Sequence, residues 1–284
     1  MRDTAEPTPT LRVLTMALLS PDYADWSQRR RVLRRVLSEV RPDVVALQEV
    51  DCRDGYEEVR YLLGTGYSLS PHSARSENGV GAVLASRVPP TSRNELDLRV
   101  TARVDLPWSA AVAAEIRLPA PFGPTLFVHY KPTWHIGYAH ERELQAVACA
   151  RFIDDLVAGR DMHVVVLGDL DDTPDSSSIR FWTGRQALGD CSVAYRDAWE
   201  SAHPGEPGHT FTPANPFVRA GEMALESGRR IDYIMVRCGP HGPTLDVVDS
   251  RRVLDQPVDG VWASDHFGLL AVLQVPAHKP GTWI

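Results

Sequence analysis

Four short stretches of the chain gather side chains that can bind cations or move protons. Gln48-Glu49-Val50 follows the apolar run VVAL, and Gly168-Asp169-Leu170-Asp171-Asp172-Thr173-Pro174 follows HVVVL. Arg229-Arg230-Ile231-Asp232-Tyr233 opens a further apolar run, and Ser264-Asp265-His266 precedes FGLLAVL. Each lies at the end of a strand-like run, which places its carboxylate at the rim of a sheet. Carboxylates gathered at one rim repel one another unless a cation stands between them. Hard oxygen donors that leave room for water suit Mg²⁺ or Mn²⁺. Adjacent Asp265 and His266 add a carboxylate able to orient or charge-stabilise an imidazole acting as general base. Taken singly, each stretch has an ordinary explanation. An acidic residue at a strand end closes a turn or caps a helix, Asp232 beside Arg230 makes a salt bridge, and His266 is a satisfied core histidine.

The elements that must position these residues follow from hydrophobic spacing. Strands are expected at Leu11 to Leu19, Asp43 to Val50, Gly79 to Ser86, Ala110 to Leu118, Thr125 to His129, His163 to Leu167, Ile231 to Arg237 and Phe267 to Val275. Ser27 to Val40 reads as a helix, with Val32, Leu33, Val36, Leu37 and Val40 at helical spacing and Pro42 ending it. Arg29, Arg30, Arg31, Arg34 and Arg35 read as its solvated face. Ala139 to Val157 reads as a second helix with Leu144, Val147, Ala148, Ile153 and Leu156 inward. Strands outnumber helices, so a layered α/β sandwich with two sheets fits better than a doubly wound parallel sheet. No linker, repeat or low-complexity tract divides the chain. The expected organisation is one domain over residues 1–284, with residues 1–10 as a flexible N-terminal arm.

Composition narrows the function classes. The 284 residues are 43% hydrophobic and 24% charged, an ordinary globular mixture that excludes disordered, collagenous and coiled-coil classes. Thirty Lys and Arg against 37 Asp and Glu give a net charge of −7. That disfavours broad, nonspecific grip on nucleic acid, which rests on phosphate neutralisation. Cys52, Cys149, Cys191 and Cys238 are widely spaced and suit neither a zinc site nor a disulfide framework. No signal peptide and no stretch of ~18 apolar residues is visible. The expectation is a soluble, cytoplasmic protein without a membrane partner.

In this order the four stretches resemble the endonuclease/exonuclease/phosphatase superfamily, which includes DNase I-like and exonuclease III-like enzymes. The matching pieces are LQEVD with Glu49, GDLDDTP with Asp169, RRIDYIMV with Asp232, and SDHFGLLAVL with Asp265 and His266. LRVLTMALLS, GVGAVLASR and the TFTP at Thr210 also match in place, so the resemblance runs from Leu11 to Val275. It implies a four-layer α/β sandwich, two packed mixed β-sheets flanked by helices, with metal and substrate at one edge of the paired sheets. Glu49 would ligate Mg²⁺ or Mn²⁺, Asp265 would hold the metal or its waters, and Asp171 is a further candidate metal ligand. His266, paired with Asp232 or Asp265, would activate water or stabilise phosphoryl charge. Asp169 would orient the nucleophile or protonate the leaving oxygen. The reaction implied is in-line attack of water on a phosphoester.

Three positions depart from the family pattern. The first strand ends Thr15-Met16-Ala17 where Asn is usual, and a methyl can neither ligate nor donate. Asp171 stands where a neutral Asn is usual, and its charge would repel phosphate unless it is protonated or bound to metal. The central strand offers His129-Tyr130, which leaves either His129 or Tyr130 as the expected catalytic residue there. A shift of one residue turns a side chain to the opposite sheet face. Tyr130, Lys131, Trp134, His135 and Tyr138 are expected to form an aromatic, polar wall, with Lys131, Trp134 and Arg230 touching substrate. The leading expectation is a metal-dependent phosphoesterase acting on nucleic acid or on a small phosphate ester. A repurposed enzyme of specialised metabolism, acting on a non-phosphate small molecule, is the alternative that Ala17 and Asp171 support.

Overall fold

A computed structural model describes residues 8–283. Residues 1–7 of the expected N-terminal arm lie outside that range, and residues 8–10 are exposed and without regular structure. In chain order the first half holds β1 (Leu11–Ala17), α1 (Trp26–Val40), β2 (Val44–Asp51), α2 (Glu57–Leu63), β3 (Ser68–Pro71), β4 (Val80–Ser86), β5 (Ser92–Asp97), β6 (Ala110–Leu118) and β7 (Gly123–Lys131). The second half holds α3 (Ala139–Val157), β8 (His163–Asp169), α4 (Ser177–Trp182), β9 (Tyr195–Asp197), α5 (Ala198–Ala202), α6 (Pro216–Ala220), β10 (Asp232–Gly239), β11 (Gly242–Pro243), β12 (Asp246–Val253) and β13 (Gly268–Gln274).

The strands form two mixed sheets. One runs β12-β13-β1-β2-β4-β3, the other β11-β10-β8-β7-β6-β5, with β9 added alongside β10. Among the described residues only β1–β2 and β7–β8 pair in parallel, and each of those pairs is joined through a helix-containing crossover. Alternation within the central strands builds the layers. On β8, Val165 and Leu167 face the other sheet, where they meet Val13, Ala46 and Leu269. Val164 and Val166 face outward and pack with Ile153 of α3 and Phe181 of α4. On β1 and β2, Leu14, Met16, Val45 and Leu47 pack outward with Val32, Leu33 and Leu37 of α1. Both faces of the central strands are therefore covered, which is why those strands read as unbroken apolar runs. The result is the expected sandwich of two packed mixed sheets flanked by helices.

The details differ in informative ways. The inward stripe of α3 is Arg142, Gln145, Ala146, Cys149, Ala150, Ile153 and Val157, whereas Leu144 is 38% exposed. Small residues let this helix lie close to its sheet. Gln145 is buried because its amide is used in full: it donates to Leu98 O at 2.8 Å and accepts from Thr133 N at 3.1 Å. On α1, Arg29 does not belong to the solvated face; it is buried. It sits three and four residues before Val32 and Leu33, hence on the apolar stripe. Its guanidinium donates to the carbonyls of Leu18, Leu19, Ser20, Tyr23 and Ala263. It thereby ties the loop after β1 to the segment before β13.

Candidate active site

The acidic ends of the central strands meet along one edge of the sandwich. β2 bulges at Glu49, where the register against β4 slips between Gln48 and Val50 and Glu49 adopts φ 58°. A bulge re-aims a side chain that regular alternation would have buried in the sheet. Glu49 Oε2 accepts from Ser20 N at 3.1 Å. β8 ends in Gly168-Asp169, and Gly168 lies at φ 155° where an added Cβ would stand 2.2 Å from Tyr130 O. Only glycine allows β8 to pass that close to β7. β10 begins with Asp232, paired in register with Asp169. Thr210 Oγ1 accepts from Ile231 N and Asp232 N at 3.2 and 3.3 Å, which fixes the entry to β10. Asn215 Nδ2 donates to Ser264 O at 2.8 Å and Asp265 O at 3.2 Å, holding the segment before β13.

Glu49, Asp169, Asp171, Asp265 and His266 line one cleft of about 750 Å³, and Asp232 lies buried behind His266. His266 Nδ1 and Asp232 Oδ2 are 3.0 Å apart, so the pairing partner is Asp232 rather than Asp265. Asp265 Oδ1 instead accepts from His266 N at 3.1 Å. Ligand atoms of Asp169, Asp232 and His266 fall within 4.8 Å of one another. Lys131 Nζ donates to Asp169 Oδ2 at 2.7 Å and also to Asp171 Oδ2, and it is buried. Asp171 has φ 55°, and its N–H donates to Asp169 Oδ1 at 3.2 Å.

The charges explain one another. Burial opposes protonation of His266, but Asp232, with Asp169 and Asp265 beyond it, outweighs that and holds its pKa well above the usual imidazole value. Burial would raise Asp169, yet Lys131 and then His266 keep it below the ordinary carboxylate range. Asp171 is pushed up to about 6 by burial and by Asp169. Glu49 is pushed up to about 7, chiefly by burial and next by Asp265. Asp169 and Asp232 thus have cationic partners within hydrogen-bonding distance, whereas among the described residues Glu49 and Asp265 have none. Although Asp169, Asp232 and His266 form the tightest group of potential ligands, their charges are already balanced. Glu49, whose carboxyl burial pushes up, and Asp265 in the same cleft are oxygen donors that could hold a hard divalent cation.

Three expected site residues lie elsewhere. Tyr130 projects from β7 to the helical side, buried against Trp182 at 5.6 Å between ring centroids. His129 faces the other sheet but sits below the cleft, fully buried. Its Nδ1 is 3.2 Å from His72 Nε2, and its Nε2 is 2.7 Å from Gln48 Nε2. His72 Nδ1 donates to Trp108 O at 3.0 Å, so the proton positions follow along the chain: His129 donates through Nδ1 and accepts from Gln48. Burial lowers the pKa of both rings, His72 to about 4. Lys131, two residues beyond His129 on the same face, is the β7 side chain that enters the cleft. The strand expected at Thr125 to His129 extends in the structure to Lys131, which carries that side chain to the cleft. Arg230 is buried in an ion pair with Asp197 and does not line the cleft. Arg229 lines it instead, donating to Asp171 O at 2.9 Å.

Of the expected aromatic wall, Lys131 and Trp134 reach the cleft. His135 and Tyr138 stand behind Trp134 in a stack with centroid separations of 4.1 and 4.3 Å. Arg29, Gln48, His72 and Arg229 support the site without having been assigned a role in it from sequence; Gln48 and Arg229 were only flanks of the acidic stretches. The position of Arg29 on the apolar stripe of α1 was a readable signal, whereas the His72 contact joins residues 57 apart and left none.

Carboxylates, an imidazole and an ammonium gather at one edge of two packed sheets flanked by helices. The chain matches the model of the Endonuclease/Exonuclease/phosphatase family over residues 16–266 and belongs to that family. Members of the family are hydrolases acting on phosphoester bonds and generally use divalent metals. Among solved structures, D. rerio TDP2 complexed with single strand DNA product superposes with TM-score 0.72 at 18% identity, covering 94% of this chain and 99% of that one. An endonuclease/exonuclease/phosphatase from Bacteroides vulgatus gives 0.70 at 20% identity, covering 94% and 100%. The human Nocturnin catalytic domain with bound sulfate anion gives 0.66 at 16% identity, covering 96% and 97%. At these identities the likeness establishes the fold. No curated protein matches the sequence. No helix among the described residues is long and apolar enough to cross a membrane.

Proposed function

We infer that this chain is a divalent-metal-dependent phosphoesterase. The observation that carries the reading is the 3.0 Å His266–Asp232 pair set in the same cleft as Glu49 and Asp265. Glu49 and Asp265 would hold Mg²⁺ or Mn²⁺, which supplies Lewis-acid neutralisation of the phosphate oxygens. Asp169, kept ionised by Lys131, orients a water and accepts its proton as that oxygen bonds to phosphorus. His266, held by Asp232 through Nδ1, presents Nε2 to the phosphoryl oxygens, where charge grows as the bond to the leaving oxygen breaks. The leaving oxygen takes its proton from solvent.

Asp171 supports the same reading. Its extra charge, which would repel a phosphate, is met by Lys131 from β7. The two residues act as one unit, and the repurposed alternative is left resting on Ala17 alone. Hydrolysis of bis-p-nitrophenyl phosphate tests the proposal. Turnover is expected with Mg²⁺ or Mn²⁺, to vanish in EDTA, and to fall by about 10³-fold or more in His266→Ala. Full activity in metal-free protein would refute it.

A further inference from the structure

The cleft holds more information about its substrate than the catalytic floor uses. Six carboxylates line it: Glu49, Glu77, Asp169, Asp171, Glu222 and Asp265. Among the described residues its lining includes two permanently cationic side chains, Lys131 and Arg229. Both are committed. Lys131 bridges Asp169 and Asp171, and Arg229 bonds Asp171 O and pairs with Glu226 at 3.4 Å. A polynucleotide needs a track of free Lys and Arg, one for each backbone phosphate it places against the protein. This cleft has none to offer beyond the catalytic centre.

Apart from Ser20, Ser76, Asn78 and His266, the rest of its lining is aromatic or apolar. Tyr23, Trp108, Trp134, Phe211 and Phe217 all contribute. Phe211 leans on His266 at 5.1 Å between ring centroids, so apolar surface begins beside the catalytic imidazole. Trp134 is 38% exposed and is braced from behind by His135 and Tyr138, with Arg103 4.1 Å from the Tyr138 ring. A braced, part-exposed indole is a prepared surface for a flat group. A volume near 750 Å³ matches an organic small molecule.

We propose that the substrate is a small phosphodiester of a single negative charge whose retained ester group, the one left on phosphorus after hydrolysis, is planar and aromatic and seated against Trp134. The proposal rests on the phosphoesterase reading above. Its one phosphate would lie beside His266 and the cation that Glu49 and Asp265 would hold, and everything beyond that phosphate is uncharged.

Three p-nitrophenyl phosphodiesters with one leaving group and different retained groups test it in Mg²⁺ or Mn²⁺. The retained groups are phenyl, methyl and the end of a single-stranded oligothymidylate. The phenyl ester should exceed the methyl ester by about tenfold in kcat/KM. Trp134→Ala should collapse that ratio towards one, and Trp134→Phe should keep most of it. The oligonucleotide ester should do no better than the methyl ester, with a rate nearly unchanged between roughly 50 and 200 mM salt. Equal phenyl and methyl esters would overturn the proposal, as would a preferred oligonucleotide ester whose rate falls steeply with salt. If no ester is hydrolysed with either metal, the phosphoesterase reading fails. The pocket is then read by binding of phenylphosphonate and methylphosphonate through tryptophan fluorescence. Tighter phenylphosphonate upholds the ligand class, and equal affinity overturns it.

Discussion

Lys131 shows what one residue can change. It is one of two lysines in a chain whose other permanent cations are arginines, and it is the one that enters the cleft. A compact ammonium reaches two carboxylates from a strand end, where a planar guanidinium would need more room. Its burial is tolerable only because Asp169 and Asp171 flank it, and together they raise its pKa above the ordinary lysine value. Lys131→Met should therefore strand two buried carboxylates and destabilise the fold by about 3–5 kcal/mol. Adding Asp171→Asn should recover part of that loss. A denaturation cycle of the two single variants and the double should give a coupling of about 1–3 kcal/mol. Additive effects would mean that the two side chains do not act as a unit. The charge of Asp171 was plain in the sequence as a departure from the family. Its pairing with Lys131 was hidden, because the sequence offers Lys131 only as a substrate contact and nothing brings β7 and the β8 end together.

Among the elements, the central ones were legible and the peripheral ones were not. β6 and α3 have the bounds expected from spacing, and β1, β2, β4, β7, β8, β10 and β13 fall within a few residues of them. Their apolar runs are continuous because helices and the second sheet cover both faces. β3, β5, β11 and β12 lie at or beside sheet edges, and β5 and β12 expose polar residues such as Arg93 and Asp249 that carry no strand signal. The catalytic ends were legible as acidic runs, but their aim depends on backbone features that residue type does not announce. The bulge at Glu49 is one, and the approach of β8 to β7 at Gly168 is the other. Gly168→Ala would force a methyl into Tyr130 O, a backbone atom that cannot swing aside. Urea denaturation should show a loss of about 3 kcal/mol with an unchanged m-value, together with reduced activity as Asp169 shifts. Wild-type stability in that variant would show that the strands separate freely there.

Across the whole molecule, the two sheets are joined beneath the cleft by a polar thread as well as by apolar packing. Gln48 from one sheet, His129 from the other and His72 form a hydrogen-bonded line that ends on Trp108 O. Its rings are neutral, and His72 has its pKa lowered from 6.5 to about 4. The unfolded chain takes up a proton near the ordinary imidazole value, whereas the folded chain refuses it until about pH 4. Stability from this residue is therefore complete above roughly pH 6.5 and is lost as pH falls towards 4. The destabilisation caused by His72→Gln, measured against wild type, should shrink by about 2 kcal/mol between roughly pH 7 and pH 5. Comparing the two proteins at each pH cancels the titration of Glu49, Asp171 and His266. A constant difference would place His72 in contact with water or with a charge.

The five carbonyls held by Arg29 come from both sides of the site, and one of them, Ala263 O, lies 234 residues further along the chain. During synthesis, α1 leaves the ribosome long before Ala263 exists. Until it does, one side of β1 also lacks its neighbour β13. A growing polypeptide thus carries a half-satisfied guanidinium and an open sheet border through most of its elongation. Both are closed in the same event, the docking of the segment that brings Asp265 and His266. The cleft is for that reason among the last things to form, and a nascent chain lacks Asp265 and His266 beside Glu49 until its final strand docks.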